Sequence, residues 1–274
     1  MKKNDKVVIG WIHPGEMEAV TSGSVVECLL VEAKKHSHRI AATVDIASGP
    51  RVAEGRSQLV DAYLKVGGAD WLLMIDADMT WTWEDFDRIC ELADARERPI
   101  VGGLCFAGGH SRMYPTIYKL INDEDTGFEG VEPVDDYEPD TLYQVGATGA
   151  AFLMVHRWVY TAMLKKYATL PTGDPNPYPW FAEGVRKGRP FGEDITFCLN
   201  AQRVGATCWV DTSIKIGHVK KFQLTEDLFR EKQMLEVLER EKDDLLASCS
   251  PELRDAMMKW KPGRRLAASS GVAD

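Results

Sequence analysis

The sequence has no C-x-x-C pair, no apolar run long enough to cross a bilayer, no strongly basic segment and no internal repeat. Each absence removes a class of protein. The six cysteines, Cys28, Cys90, Cys105, Cys198, Cys208 and Cys249, stand far apart, with no histidine at zinc-ligand spacing. A zinc ribbon and a dithiol redox motif are therefore excluded, and the cysteines read as thiols in a reducing compartment. The apolar run Val7 to Ile12 is too short for a signal-peptide core or a membrane span, so the expectation is a cytoplasmic protein without integral membrane association. Against 33 Lys and Arg stand 42 Asp and Glu, a formal charge of −9, which disfavours nucleic acid as a partner.

What is present is ordinary globular material: 274 residues, 45% hydrophobic and 27% charged, enough to bury a core without disulfides. Strand and helix patterns alternate through the first hundred residues. Val7 to Ile12 reads as a buried strand closed by His13-Pro14-Gly15; Ser24 to His36 as a helix; Arg39 to Ile46 as a strand carrying Asp45 at its end; and Arg51 to Val66 as a helix. Trp71 to Ile75 is the strongest strand of the chain and ends abruptly in Asp76-Ala77-Asp78. Helix Trp83 to Arg96, strand Pro99 to Leu104 and the glycine-rich segment Phe106 to His110 follow. This alternation predicts an α/β fold with a Rossmann-like, mostly parallel sheet covered by helices on both faces.

Tyr114 to Tyr143 breaks the pattern and predicts an antiparallel excursion with acidic turns. Gln144 to Val155 then returns to strand character, Arg157 to Tyr167 reads as a helix, and Pro171 to Trp180 as a proline-rich loop. The helix from Gly192 to Val204 opens with Glu193-Asp194, and the last strand, Thr207 to Ile216, runs on to Gly217-His218. A long charged helix from Thr225 to about Leu246, a short helix around Glu252 to Trp260 and a small polar tail complete the chain. The expected division is 1–222 for the α/β domain and 223–274 for a C-terminal helical extension, whose helix is a candidate for homo-oligomer pairing.

Three Asp-x-Asp patterns occur, and position separates them. Asp85-Phe86-Asp87 lies within a helix and Asp123-Glu124-Asp125 in a hydrophilic turn, so both read as solvated acids. Asp76-Ala77-Asp78 follows five apolar residues of a buried strand, at the carboxyl edge of the sheet, where two carboxylates need a cation. A divalent metal that also holds a diphosphate supplies it; the alternative is an Asp capping the next helix, a task that Thr80 or Thr82 can perform. Ile214, Ile216 and His218 share one strand face, so an apolar stripe ends in an imidazole that makes a third ligand and favours Mn²⁺ over Mg²⁺.

These segments, in order, resemble a metal-dependent glycosyltransferase of the GT-A fold: Trp71 to Met79, Val145 to Met154, Pro190 to Phe197 and Ile214 to His218, with Gly55-Arg56 ahead of them. The likeness is to the small family-2-like enzymes of bacteria and their phages, and it spans about residue 5 to residue 222. It implies that Asp76 contacts the nucleotide ribose or a metal water. Asp78, with Asp76 and His218, then holds Mn²⁺ (or Mg²⁺) on the donor diphosphate. His13 and Asp45 fall where the family holds base and ribose, and Arg51 or Arg56 reaches the nucleotide or its phosphates, unless they form surface ion pairs.

By the same resemblance Asp194, beside Glu193, is the general base in inverting members or the acceptor-positioning acid in retaining ones; otherwise the pair only complements a helix dipole. Gly149, in the bracket Gly146-Ala147-Thr148-Gly149, belongs to the loop that approaches the donor sugar, or else to a bulged strand. Trp180 and Phe181 are candidates for a sugar-stacking lid, or for plain core packing.

The expected substrates are a nucleotide-sugar donor, with UDP favoured, and a hydroxyl on a protein or glycan acceptor, in a bacterial or phage-infected cell. A sugar-phosphate nucleotidyltransferase and a non-catalytic nucleotide- or glycan-binding module of the same fold are the alternatives. The loop His13 to Glu16 lacks the glycine-rich basic phosphate loop that the first would need.

Overall fold

A computed structural model describes residues 1–2, 4–35, 37–109, 112–123, 128–167, 180–186, 189–221, 226–251 and 253–254. Most of the expected proline-rich loop, nearly all of the short helix after Glu252, the C-terminal tail, His110 and the acidic turn 124–127 lie outside the described residues.

In chain order the elements are β1 (Val7–His13), α1 (Ala19–Lys35), β2 (Ile40–Ala47), α2 (Val52–Lys65), β3 (Trp71–Asp76), β4 (Met79–Thr80), α3 (Trp83–Leu92) and β5 (Ile100–Leu104). Then come β6 (Phe106–Gly109), β7 (Arg112–Pro115), β8 (Ile117–Asp123), β9 (Phe128–Pro133), β10 (Leu142–Val145), β11 (Ala147–Thr148), β12 (Phe152–His156) and α4 (Arg157–Tyr167). The series closes with β13 (Gly184–Arg186), β14 (Arg189–Phe191), α5 (Glu193–Gln202), β15 (Cys208–Lys215), β16 (Gly217–His218) and α6 (Glu226–Ser248).

The central sheet has seven strands in the order β10-β15-β5-β12-β3-β1-β2. β2, β1, β3, β5 and β15 run one way, and β12 and β10 run against them. Period two decides which side chains go where. In β3, Leu72 and Met74 enter the core under α2, α4 and α5, while Trp71, Leu73 and Ile75 enter the opposite core under α1 and α3. Both faces are covered, which is why β3 reads as one unbroken apolar run. The α/β class and the two-sided helical cover follow the sequence expectation.

Several boundaries differ from it. α1 begins at Ala19, ahead of Ser24, because Glu18 donates its backbone N–H to the Ala77 carbonyl (2.9 Å) and starts the helix against the Asp76-Ala77-Asp78 turn. The glycine-rich segment is a hairpin strand, β6 paired with β7. The stretch read as one strand from Gln144 is three: β10 in the main sheet, β11 in the sheet β11-β8-β9, and β12 back in the main sheet. α3 starts with a capping box between Thr82 and Asp85, so neither Asp76 nor Asp78 is needed as its cap. Asp85 and Asp87 are not idle solvated acids, since Asp87 also accepts from Arg39 at 2.7 Å. Arg157 donates to four carbonyls at the end of α2 and just after it, on Tyr63, Leu64, Val66 and Ala69, and so satisfies groups the helix leaves orphaned.

The chain divides into two compact units, Met1–Lys220 and Lys221–Asp274. Within the second, α6 carries exposed Met234, Leu235, Leu238 and Leu245 among charged residues. No helix among the described residues is long and apolar enough to cross a membrane. Cys28, Cys90, Cys105, Cys198 and Cys208 are buried thiols.

Candidate functional site

The carboxyl ends of β1, β2 and β3 and the N-terminus of α5 collect most of the residues singled out from the sequence. After Asp76 the chain turns and forms β4, which pairs antiparallel with β16, setting His218 opposite Met79. The register is tight: a side chain at Gly217 would put its Cβ 2.2 Å from Thr80 Oγ1, so only glycine lets the two short strands meet.

This small sheet brings His218 Nε2 to 3.0 Å from Asp78 Oδ2. His218 Nδ1 lies 2.7 Å from the Phe106 carbonyl, which can only accept, so Nδ1 carries a proton. In the neutral ring Nε2 then presents a lone pair to a carboxylate, an arrangement that requires a cation between them. A proton is one solution: the hydrogen bond from Asp78 pushes the imidazole above its ordinary pKa despite burial, with the Phe106 carbonyl adding to it. For Asp78, burial favours the neutral acid, but His218 and Lys220 outweigh it and hold the carboxyl below its usual range. Lys220 Nζ stands 3.3 Å from the same Oδ2.

Asp76 is turned elsewhere. Arg56 Nη2 donates to both of its oxygens at 2.8 Å, and Arg56 Nη1 donates to Glu193 Oε1. The guanidinium side chain is 4% exposed, against 24% for Asp76 and 17% for Glu193. Burial opposes its charge, but Asp76 and Glu193 raise its pKa well above normal. Its Nε has no partner among the described residues. Gly55 makes this possible, because a Cβ there would lie 2.2 Å from the Ser48 Cβ and hold α2 off the β2 end.

The acidic pair of α5 splits its partners. Glu193 faces Arg56, while Asp194 Oδ1 accepts from the Ile195 N–H at 2.7 Å. Burial raises the Asp194 pKa, with Glu193 and Asp76 adding to it and Arg56 opposing. At the ends of β1 and β2, His13 Nε2 meets Asp45 Oδ1 at 2.9 Å. His13 Nδ1 accepts from Gly15 N at 3.0 Å, so the ring's proton points at Asp45, which is 58% exposed.

The remaining residues singled out from the sequence are placed as follows. Among the described residues no group of three or more His, Cys, Asp and Glu side chains is arranged to hold a metal, so Asp76, Asp78 and His218 do not converge: Asp76 is bound to Arg56, leaving the pair Asp78 and His218. Arg51 is an exposed residue paired with Glu54 at 3.0 Å. Gly149 backs onto Thr116, where a Cβ would come within 3.2 Å, so its small size serves packing. Trp180 and Phe181 are buried: Trp180 Nε1 donates to the Tyr160 carbonyl at 3.0 Å, and Phe181 stacks on Phe197 at 4.5 Å, so neither is placed to cover a sugar.

Lys220 and Tyr118 were not anticipated. Lys220 lies two residues past His218, just beyond the end of β16, a signal of closeness that the sequence does contain. Tyr118 carries none; burial raises its phenol pKa, and the Asp194 charge adds to it.

A divalent metal passes a physical test here only in part. The two ligands Asp78 Oδ2 and His218 Nε2 fit an ion whose other positions are oxygens of diphosphate and water, because Mg²⁺-like ions take one or two carboxylates plus substrate phosphates. The Phe106 carbonyl on Nδ1 is the partner that orients a ligating imidazole. A site built from protein ligands alone does not fit.

No family model matches the chain, and no curated protein matches it. Among solved structures the chain is similar to A197 from STIV, at 15% identity and a TM-score of 0.48, covering 79% of this chain and 86% of that one. It is also similar to GalNAc-T7 crystallised with UDP, GalNAc and Mn²⁺, at 11% identity and a TM-score of 0.48; 81% of this chain matches 45% of that one. A glycosyltransferase involved in glycosylation of the major capsid of PBCV-1 is a third, at 13% identity and a TM-score of 0.31, covering 64% of this chain and 71% of that one.

Proposed function

We propose that the chain is a metal-dependent glycosyltransferase of the GT-A type, moving a sugar from a nucleoside-diphosphate donor, with UDP the expected nucleotide, to a hydroxyl of a protein or glycan acceptor. The observation that carries this reading is the Asp78–His218 pair at 3.0 Å, with Nδ1 committed to the Phe106 carbonyl, at the carboxyl edge of the sheet. That edge is where open α/β sheets bind ligands.

Asp78 Oδ2 and His218 Nε2 would hold Mn²⁺ or Mg²⁺, which would supply charge neutralisation for the departing diphosphate. Asp45, oriented by His13, accepts from the base or ribose. Asp76 faces the donor from the grip of Arg56, and Glu193 shares that grip. Asp194 is the general base: made more basic by burial, it takes the proton of the acceptor hydroxyl as its oxygen bonds to the sugar carbon. The bond from that carbon to the diphosphate oxygen breaks, and the nucleoside diphosphate leaves with the electron pair. Arg51 has no part in this scheme.

The test is thermal stability and nucleotide release with UDP, GDP, CDP and TDP sugars in Mn²⁺, Mg²⁺ or EDTA, for wild type and Asp78→Ala. Stabilisation by one nucleotide that needs metal and vanishes in the variant supports the reading, and release of diphosphate rather than pyrophosphate separates it from a nucleotidyltransferase. Absence of any metal-linked nucleotide stabilisation refutes it.

A further inference from the structure

A cavity of about 610 Å³ lies between the antiparallel excursion, the β10 edge of the main sheet and the C-terminal end of α5. It is of a size that takes a small organic ligand. We propose that it binds a neutral saccharide unit of the acceptor, at a distance from the hydroxyl that reacts. This names the acceptor class and rests on the glycosyltransferase reading.

The lining chemistry selects the ligand. Among the described residues Lys119 is the one charged side chain on the wall, and it is paired with Glu132 at 2.8 Å, so none of them rewards a phosphate or a carboxylate. Tyr118, Tyr137 and Tyr143 line the cavity together with Leu120 and Val134. The Tyr143 hydroxyl already accepts from the Glu138 N–H at 2.7 Å, whereas those of Tyr118 and Tyr137 have no hydrogen-bond partner among the described residues. Apolar and aromatic walls with unpaired phenols suit a ligand that offers C–H faces and hydroxyl groups but no charge, which is the chemistry of a neutral sugar. Gly205, in a left-handed turn at φ +89° with open space over its Cα, leaves the rim uncrowded.

Position agrees with chemistry. His13 and Asp45 lie at the β1 and β2 side of the sheet, and the cavity at the β10 edge; six strand spacings of about 4.8 Å put those edges roughly 29 Å apart. Asp76, on β3, and Asp194 lie between them. α5 joins base and cavity: Asp194 stands in its first turn, and Gln202, at its other end, donates its amide to the Gly146 carbonyl on the cavity wall. Eight residues of helix separate the two by about 12 Å. Tyr118 belongs to both places, lining the cavity and feeling the Asp194 charge. The cavity residues Gly205 to Thr207 precede β15, so the cavity lies at the amino end of that strand, and an extended acceptor reaching about 12 Å along α5 joins it to Asp194.

The experiment uses the full chain and four probes: maltotriose, cellotriose, triacetylchitotriose and, as a charged control, sialyllactose. Saturation-transfer NMR and titration are run on wild type, Leu120→Trp and Tyr137→Phe, with metal-dependent UDP binding measured on the same samples. Leu120 is 45% exposed, so a larger ring there fills the cavity without rebuilding a core. Binding of a neutral trisaccharide is expected, weakened about tenfold by Leu120→Trp and less by Tyr137→Phe, with UDP binding at the wild-type level. Three results overturn the assignment: no transfer to any neutral trisaccharide, binding that persists in folded Leu120→Trp, or binding of sialyllactose alone. Failure of wild type to bind UDP with metal strikes instead at the glycosyltransferase reading and is seen in a separate channel.

Discussion

Replacing Arg56 by Met tests whether the site is held together by its one buried cation. Its guanidinium makes three hydrogen bonds to two carboxylates. Removing one partner of a fully buried ion pair costs about 3–5 kcal/mol, because the remaining charges stay desolvated and unpaired. Asp76 and Glu193 keep some contact with water, which moves the expectation to the low end, about 3 kcal/mol. For a domain of this size that lowers Tm by about 6–12 °C. The assay is urea and thermal denaturation of Arg56→Met beside the triple variant Arg56→Met/Asp76→Asn/Glu193→Gln. Neutralising both acids removes the repulsion, so the triple variant recovers more than half of the loss. Arg56 also opposes the raised pKa of Asp194, so its removal shifts the acid limb of the rate profile to higher pH. A loss below about 1 kcal/mol, or a triple variant no more stable than the single one, refutes the charge argument.

Three further outcomes follow from the same geometry. His218→Ala abolishes the thermal shift produced by UDP with Mn²⁺, which in wild type reaches about 2.7 kcal/mol at a hundredfold excess over Kd; an undiminished shift would remove His218 from the site. Mn²⁺ must displace the His218 proton, so metal affinity climbs by about tenfold per pH unit below the raised His218 pKa and levels off above it, as read by titration calorimetry across pH. Without metal the sign reverses for folding: the protonated His218 contributes stability that fades as pH rises through its raised value, while that of Asp78 fades as pH falls through its lowered one. Far from the site, Glu32 is buried with Arg39 at 2.6 Å; burial favours its neutral form, but bonds from Arg39, Trp83 and Ser37 bring its pKa to about 2. Glu32→Gln should lose about 3 kcal/mol at neutral pH, and the wild-type advantage, complete above the unfolded carboxyl value, should disappear as pH falls toward 2; equal urea midpoints at pH 7 would contradict this.

The central strands were legible because each is buried on both faces and bounded by loop residues: Val7 to Ile12 and Trp71 to Ile75 have no other reading. Where short elements change sheets, one-dimensional patterning fails. β10, β11 and β12 are each apolar and nearly contiguous, and only the third dimension assigns them to different sheets. At the site, strand ends were predictable because a carboxylate after an apolar run has one place to go. Partners were not. Arg56 looks like any helix-start arginine until Gly55 lets α2 close on the loop at Ser48, and the bond from His218 to the Phe106 carbonyl involves a backbone group that no sequence marks. Trp180 and Phe181 stayed open between two readings because aromatic residues beside a proline-rich segment serve a lid and a core equally well; the bond from Trp180 Nε1 to the Tyr160 carbonyl places that ring in the core.

The acids of the site are divided between two cationic systems, and that division couples metal binding to nucleotide binding. Arg56 serves Asp76 and Glu193, while His218 and Lys220 serve Asp78. A divalent ion entering between Asp78 and His218 must expel a proton from Nε2 and push away the Lys220 ammonium 3.3 Å from the same oxygen. Metal alone therefore pays repulsion that metal with a diphosphate does not, since the diphosphate gives Lys220 a new anion to face. Coupling of this kind is reciprocal. UDP should tighten Mn²⁺ binding by the same factor by which Mn²⁺ tightens UDP binding, and Lys220→Met should raise the affinity for metal alone while shrinking that factor. Equal Mn²⁺ affinity with and without UDP in wild type would show that Lys220 does not compete for Asp78.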